Sequence, residues 1–147
     1  MTIDSFSGEY AFLSNFYPCS LDPVLGVYPQ TVEHAFQAAK AGNQSQALSI
    51  LRAPTPAKSK AYGRAVARPA DWDARRLKVM FALVSQKFSQ LNPSLVTLLL
   101  ATGDRPLIEG NHWNDTFWGV CKGVGENHLG KLLCDRRQLL RATWVLS

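Results

Sequence analysis

The chain has no long apolar run, no paired-cysteine motif and no low-complexity tract, and each lack removes a class of protein. Its apolar runs, such as Val79–Val84 and Leu98–Ala101, fall far short of the ~20 residues a bilayer-spanning helix needs. Only three cysteines occur (Cys19, Cys121, Cys134), odd in number and widely spaced. They fit neither a disulfide framework nor a CxxC metal pattern, and a reducing cytoplasmic compartment is the expected setting. The three histidines are scattered at 34, 112 and 128, so no metal site is expected. No GxSxG elbow is present, and no cysteine carries a paired-histidine signature, which leaves nucleophilic catalysis by Ser or Cys without support. The opening MTIDSFSGEY has an early acid and no basic-then-apolar run, so no secretory leader is expected.

What is present is an ordinary globular balance. Apolar residues make up 46% and charged residues 18% of 147, enough apolar surface to offset the entropy of ordering. The length suits a single domain over 1–147. Sixteen basic and eleven acidic residues leave a net +5. Such an excess favours phosphate-bearing partners only weakly, because the basic residues are spread rather than clustered.

Helical periodicity dominates. Thr31 is placed to cap a helix with Val32, Ala35, Phe36 and Ala39 on one face, ended by Gly42-Asn43. A short helix is expected over 44–52, stopped before Pro54. Thr55-Pro56 supplies a cap and a first-turn proline for a third, which Gly63 ends or weakens. The longest helix starts near Asp71, with Leu77, Met80, Phe81, Val84 and Phe88 as its apolar stripe and Arg75, Lys78 and Gln86 on its polar face. Asn92-Pro93 opens a helix burying Leu95, Leu98 and Leu99 and stopped by Gly103. The last begins after Asn127, with Leu129, Leu132, Leu133 and Leu140 inward. Asp22-Pro23 and Gly26 suggest a short hairpin, and Leu107–Glu109 a strand. Residues 4–20 and 111–126 are too aromatic for solvated loops, and are expected to fold over the helices as pocket walls.

Three segments could carry chemistry. On the first helix, Glu33, Gln37 and Lys40 share a stripe beside the apolar one. A carboxylate there can be partly desolvated and suited to acid–base work. On this helix alone, an acid favoured by the helix dipole and a solvated Gln37 and Lys40 is the commoner arrangement. The loop at 109–121 gathers Asn114, Asp115, Trp113, Phe117 and Trp118. Indoles stack on bases and riboses, and Asp115 could accept from a sugar hydroxyl or protonate a leaving group. The same residues could equally fill core and make a turn. The third segment, Gly123-Val124-Gly125 leading into a helix, could cradle a phosphate near Lys122 or Lys131. It is neither a Walker A loop nor a GxGxxG fingerprint, and an ordinary loop is the commoner case. Trp72 could line a base pocket or anchor its helix, and Asn15 could bind ligand or tie its own turn.

Taken in order, FSGEYAFLSNFYP (6–18), YPQTVEHAFQAAK (28–40), Asp71-Trp72, Lys87-Phe88, LLLATGD (98–104), WNDTFWG (113–119) and GENHLGK (125–131) closely resemble the YbiA-like N-glycosidase family, also called NADAR for its association with NAD and ADP-ribose. The resemblance covers nearly the whole chain. It implies an α+β fold, mostly helical with a few short strands. It also implies hydrolysis of the bond between ribose C1′ and a base, without a metal or a cofactor. The implied substrates are phosphoribosyl-amino-pyrimidine intermediates of riboflavin synthesis, or ADP-ribosylated guanine in DNA or RNA. Carried over by motif, Glu33 is the key carboxylate, with Asp115 and Lys40 beside it. Asn15, Phe16, Trp72, Asn114, Trp118, Gly119, Gly123, Gly125, Asn127 and Gly130 are implied as binding elements. Lys40 is left with three roles: pairing with Glu33, holding phosphate, or attacking C1′ of an opened ribose. Two rivals remain, a non-catalytic ADP-ribose-binding module and a nucleic-acid-binding module. No membrane partner is expected, and the oligomeric state stays open.

Overall fold

The computed structural model describes residues 1–144. In chain order it runs through a 3-10 helix at Gly8–Leu13, then α1 (Val32–Ala39), α2 (Gln44–Leu51), α3 (Pro56–Ala65), α4 (Trp72–Lys87), α5 (Pro93–Ala101), β1 (Gly110–Asn111), β2 (Val120–Cys121) and α6 (His128–Thr143). The two short strands pair in parallel, Gly110 with Val120 and Asn111 with Cys121. The expected α+β, mainly helical class is therefore what the chain adopts. Its contacts divide it into two compact units, one formed by Asn15–Lys87 and the other by Met1–Ser14 with the stretch from Phe88 onward.

In the first unit, α1 packs on α2, α3 and α4. Thr31 caps it as its sequence suggests, its hydroxyl accepting the His34 N–H at 3.1 Å, a contact worth about 1 kcal/mol. Every residue from Val32 to Ala38 is buried. His34 is fully buried and doubly tied. Its Nε2 donates to the Ala53 carbonyl at 3.0 Å, and its Nδ1 lies 2.8 Å from the Thr31 hydroxyl. A carbonyl only accepts, so a neutral ring must carry its proton on Nε2 and take the hydroxyl proton on Nδ1. Asn43 and Thr55 cap α2 and α3 in the same way as Thr31. The hairpin is present, with Val24 and Val27 exchanging both backbone bonds around Leu25 and Gly26 at positive φ. Ala38, Ala47, Ile50 and Leu51 form a cluster, joined by partly buried Val24, Val27, Ala41 and Val66.

Four expectations are corrected. The buried face of α4 is Trp72, Met80, Leu83, Val84 and Lys87, whereas Leu77 and Phe81 are 37% and 38% exposed. The helix is rotated toward its neighbours by about one residue, and periodicity alone does not say which edge of an apolar stripe meets them. Gly63 does not end α3, which continues to Ala65. In the second unit, α5 packs against α6, and α5 buries Val96 beside Leu95 and Leu99 while Leu98 is 43% exposed.

The expected strand at 107–109 reduces to one bridge, Leu107 with Ile3. The cause is Asn127, whose Oδ1 accepts the Glu109 N–H and whose Nδ2 donates to the Leu107 carbonyl, both at 3.0 Å. A side chain takes the groups a strand ladder would use.

Candidate functional site

In the first unit, the residues of interest gather on α1 and the segment beside it. The Glu33 N–H donates to the Asn15 carbonyl at 3.1 Å, which lays residues 15–16 along the first turn of the helix. Glu33 is 7% exposed, and the Gln37 amide donates to its Oε2 at 2.7 Å. The i, i+4 spacing makes this contact possible, and it fixes the carboxylate rotamer. Lys40 lies one turn further on, half-buried. Burial pushes its ammonium below the ordinary lysine range, with Arg68 adding to the fall, Glu33 opposing it, and Arg64 lowering it further. The Asn15 amide donates to Met80 Sδ at 3.6 Å. Phe16 is 39% exposed, with the Lys60 ammonium 6.0 Å from its ring centre. Trp72 is buried against Phe36, ring centres 5.1 Å apart, and the Arg75 guanidinium lies 5.5 Å from the indole. In this structure Trp72 anchors its helix.

One residue of this unit, named in sequence only within the Lys87-Phe88 motif, was given no role there. Lys87 is 1% exposed, its ammonium is 5.8 Å from the Tyr17 ring centre, and burial pulls its pKa down to about 8, with Cys19 acting in the opposite sense. Burial pushes the Cys19 thiol up, while Lys87 and a backbone bond at Val32 pull it down. The signal was available: Lys87 stands seven residues from Met80, on the apolar stripe itself. A cation on that stripe marks a buried amine.

In the second unit, the loop 111–126 spends most of its polar groups on itself. Asp115 Oδ1 accepts the N–H groups of Phe117 and Trp118 at 3.2 and 2.9 Å, while Asn111 closes the loop from both ends of its amide. Asn114 is exposed at φ 66°. Trp118 is partly buried, edge-on to Phe117 with ring centres 4.8 Å apart. Lys122 and Gly123, both at positive φ, make the two-residue turn of a small hairpin in which Cys121 and Val124 exchange backbone bonds. Gly125 must be glycine, because a Cβ there would sit 2.1 Å from the Gly119 carbonyl.

The N–H groups at the start of α6 are engaged. Those of Glu126, Asn127, His128 and Leu129 donate to the carbonyls of Thr116, Gly119, Phe117 and Trp118. An anion at the start of α6 would compete with all four. Among the described residues, no group of three or more His, Cys, Asp or Glu side chains could hold a metal. None of their helices is long and apolar enough to cross a membrane. An open depression lined by Ser49, Arg52, Ala53, Pro54 and Tyr62 includes none of the expected site residues.

Comparison with known proteins adds the lineage. The family model described as NADAR domain matches residues 4–141. The chain belongs to the NADAR family. Among its curated relatives is N-glycosidase YbiA of Escherichia coli, 35% identical over 92% of this chain and 85% of that one. N-glycosidase Npun_R5314 of Nostoc punctiforme is 37% identical over 90% of this chain and 86% of its own. Riboflavin biosynthesis protein VVA0006 of Vibrio vulnificus is 38% identical over 90% of this chain, and the chain spans only 36% of that longer protein. The NMR structure of E. coli YbiA matches this NADAR chain with a TM-score of 0.82, at 33% identity, over 97% of this chain and 84% of that one.

Proposed function

We propose that this NADAR chain is an N-glycosidase that hydrolyses the bond between ribose C1′ and an amino-bearing base, in a ribose-phosphate or ADP-ribose conjugate. The observation that carries this reading is the Glu33 carboxylate, buried on α1 and oriented by Gln37, in a family whose relatives are named N-glycosidases. Cleaving an N-glycoside develops positive charge on the sugar, as in glycoside hydrolysis. A fixed, desolvated carboxylate stabilises that charge more strongly than one in water, or takes a proton from the attacking water. In this scheme Asp115 orients the ribose hydroxyls or protonates the departing base. Its Oδ2 makes no hydrogen bond among the described residues, while Oδ1 is tied to the backbone. Phe16 supplies flat apolar surface for sugar or base, and Trp118 is a separate candidate for such a contact. The three free thiols suit a reducing compartment, and the cytoplasm is the proposed setting.

The test is a mass-spectrometric product assay, run in parallel on riboflavin-pathway phosphoribosylamino-pyrimidines and on DNA or RNA carrying ADP-ribosylated guanine. Free base released from either substrate is the expected result, and the substrate that yields it names the biological one. Tight binding of ADP-ribose with no base released from any substrate would overturn the glycosidase reading and leave a binding module.

A further inference from the structure

We infer that the phosphate of the ribosyl substrate is held in the first unit, by Arg64, Lys40 and Arg68 beside Glu33, rather than by the glycine loop at 123–125. This placement deepens the glycosidase reading and rests on it for the identity of the sugar.

The geometry begins where α3 crosses α1. A Cβ at Gly63 would lie 2.0 Å from Gln37 Oε1, so the two helices are in close contact at the residue that orients Glu33. Arg64 follows Gly63 directly, and Lys60 stands one turn before Arg64 on the same face of α3. The Lys60 ammonium reaches the Phe16 ring, and Phe16 adjoins Asn15, whose carbonyl takes the Glu33 N–H. Lys40 sits one turn beyond Gln37 on α1, close enough to Arg64 and Arg68 for both to disfavour its charge. Cations from three stretches of chain therefore gather near Lys40, one turn beyond the Gln37 that orients Glu33.

That gathering is unfavourable in itself, because like charges at short range repel. Among the described residues only part of it is matched. Arg68 pairs with Asp73, and Glu33 accepts from Gln37. Arg64 and the Lys40 ammonium make no ion pair or hydrogen bond among the described residues. A phosphate supplies the missing charge, and a guanidinium fork beside an ammonium is the donor set that suits its oxygens. Lys40 is two helical turns from Glu33, about 10 Å of rise. Long side chains shorten that separation toward the span of a sugar phosphate, with C1′ toward Glu33. The glycine loop leads into a helix start whose N–H groups, at residues 126–129, are already bonded, so it offers a phosphate less. Of the roles open to Lys40, holding the anion is the one its neighbours favour.

The experiment is calorimetric titration of the full chain with ribose 5-phosphate, ADP-ribose and unphosphorylated ribose. Wild type should bind at least one phosphorylated ligand ~10-fold or more tighter than ribose, and the tighter one identifies the source of the phosphate. Arg64→Ala and Lys40→Met should each weaken that binding by about 10- to 100-fold, the scale of a charge-assisted contact. Arg64→Lys should recover part of it, and Lys78→Ala should stay within about twofold of wild type. Wild-type affinity in Arg64→Ala overturns the inference. So does loss of binding in Lys122→Ala with Arg64→Ala intact, or equal affinity for ribose and its phosphates. No bond is broken in this assay, so its outcome is separate from that of the product assay. A chain that binds as expected but releases no base keeps the phosphate site and loses the glycosidase reading.

Discussion

The α1 region and the loop 111–126 solve opposite problems with similar residues. On α1, the backbone satisfies itself as a helix, and its buried side chains, Glu33 and Gln37, are held by each other. In the loop, the backbone has no regular partner, so Asn111, Asp115 and Asn127 spend their side chains holding it. A polar residue on the helix can be committed to chemistry, whereas one in the loop is first committed to structure. Substitutions should therefore separate turnover from stability on α1, and entangle them in the loop.

The largest effect expected is on turnover. Glu33→Gln should release base at least ~100-fold more slowly, the usual scale for losing an acid–base group, with unfolding midpoint and ligand affinity nearly unchanged. Full turnover in steady-state assays would remove Glu33 from the mechanism. Combined with Asp115→Asn, its effect should be less than the sum of the two in free energy if both act on one bound substrate. Strict additivity would place Asp115 outside the chemistry.

Next comes Lys87. Its folded pKa, about 8, is below the unfolded value near 10.4. Between those values the unfolded chain binds the extra proton, so this residue makes stability rise with pH across that window and stay flat below it. Lys87→Met should gain about 2–3 kcal/mol at pH 7 and lose that slope. Cys19, its thiol pushed up by burial, acts in the opposite direction above its unfolded value near 8.5. The difference between wild type and variant in urea denaturation from pH 7 to 10 is therefore the informative quantity. An unchanged slope would mean that Lys87 is solvated.

Asp115→Ala should lower stability by about 1–3 kcal/mol, since two backbone N–H groups lose their acceptor, and should reduce turnover as well. A loss confined to turnover would break the contrast drawn between helix and loop. Smallest is Trp118→Ala, expected to weaken ligand binding by about tenfold, roughly the value of one aromatic contact. Unchanged affinity by titration would make Trp118 core alone.

The helix boundaries were legible because their signals are local. Thr31, Asn43 and Thr55 cap the turns that follow them, and capping is decided within about three residues. Glu33 could be placed on a helix edge, but its burial could not, because that depends on α3 approaching closely enough to exclude a side chain at Gly63. The sequence places Asn127 in a glycine loop implied to bind ligand. Its bonds to Leu107 and Glu109, some twenty residues away, carry no mark in the sequence. Leu77 and Phe81 show the same limit on the apolar side.

Residues 32–38 have no solvent face, which bears on how this enzyme family can diversify. A helix enclosed on all sides tolerates few exchanges, so selectivity for a new ligand is easier to reach by altering its exposed surroundings. Arg64, Arg68 and Phe16 are such positions. Libraries built there would leave the reactive core intact while changing what is brought to it.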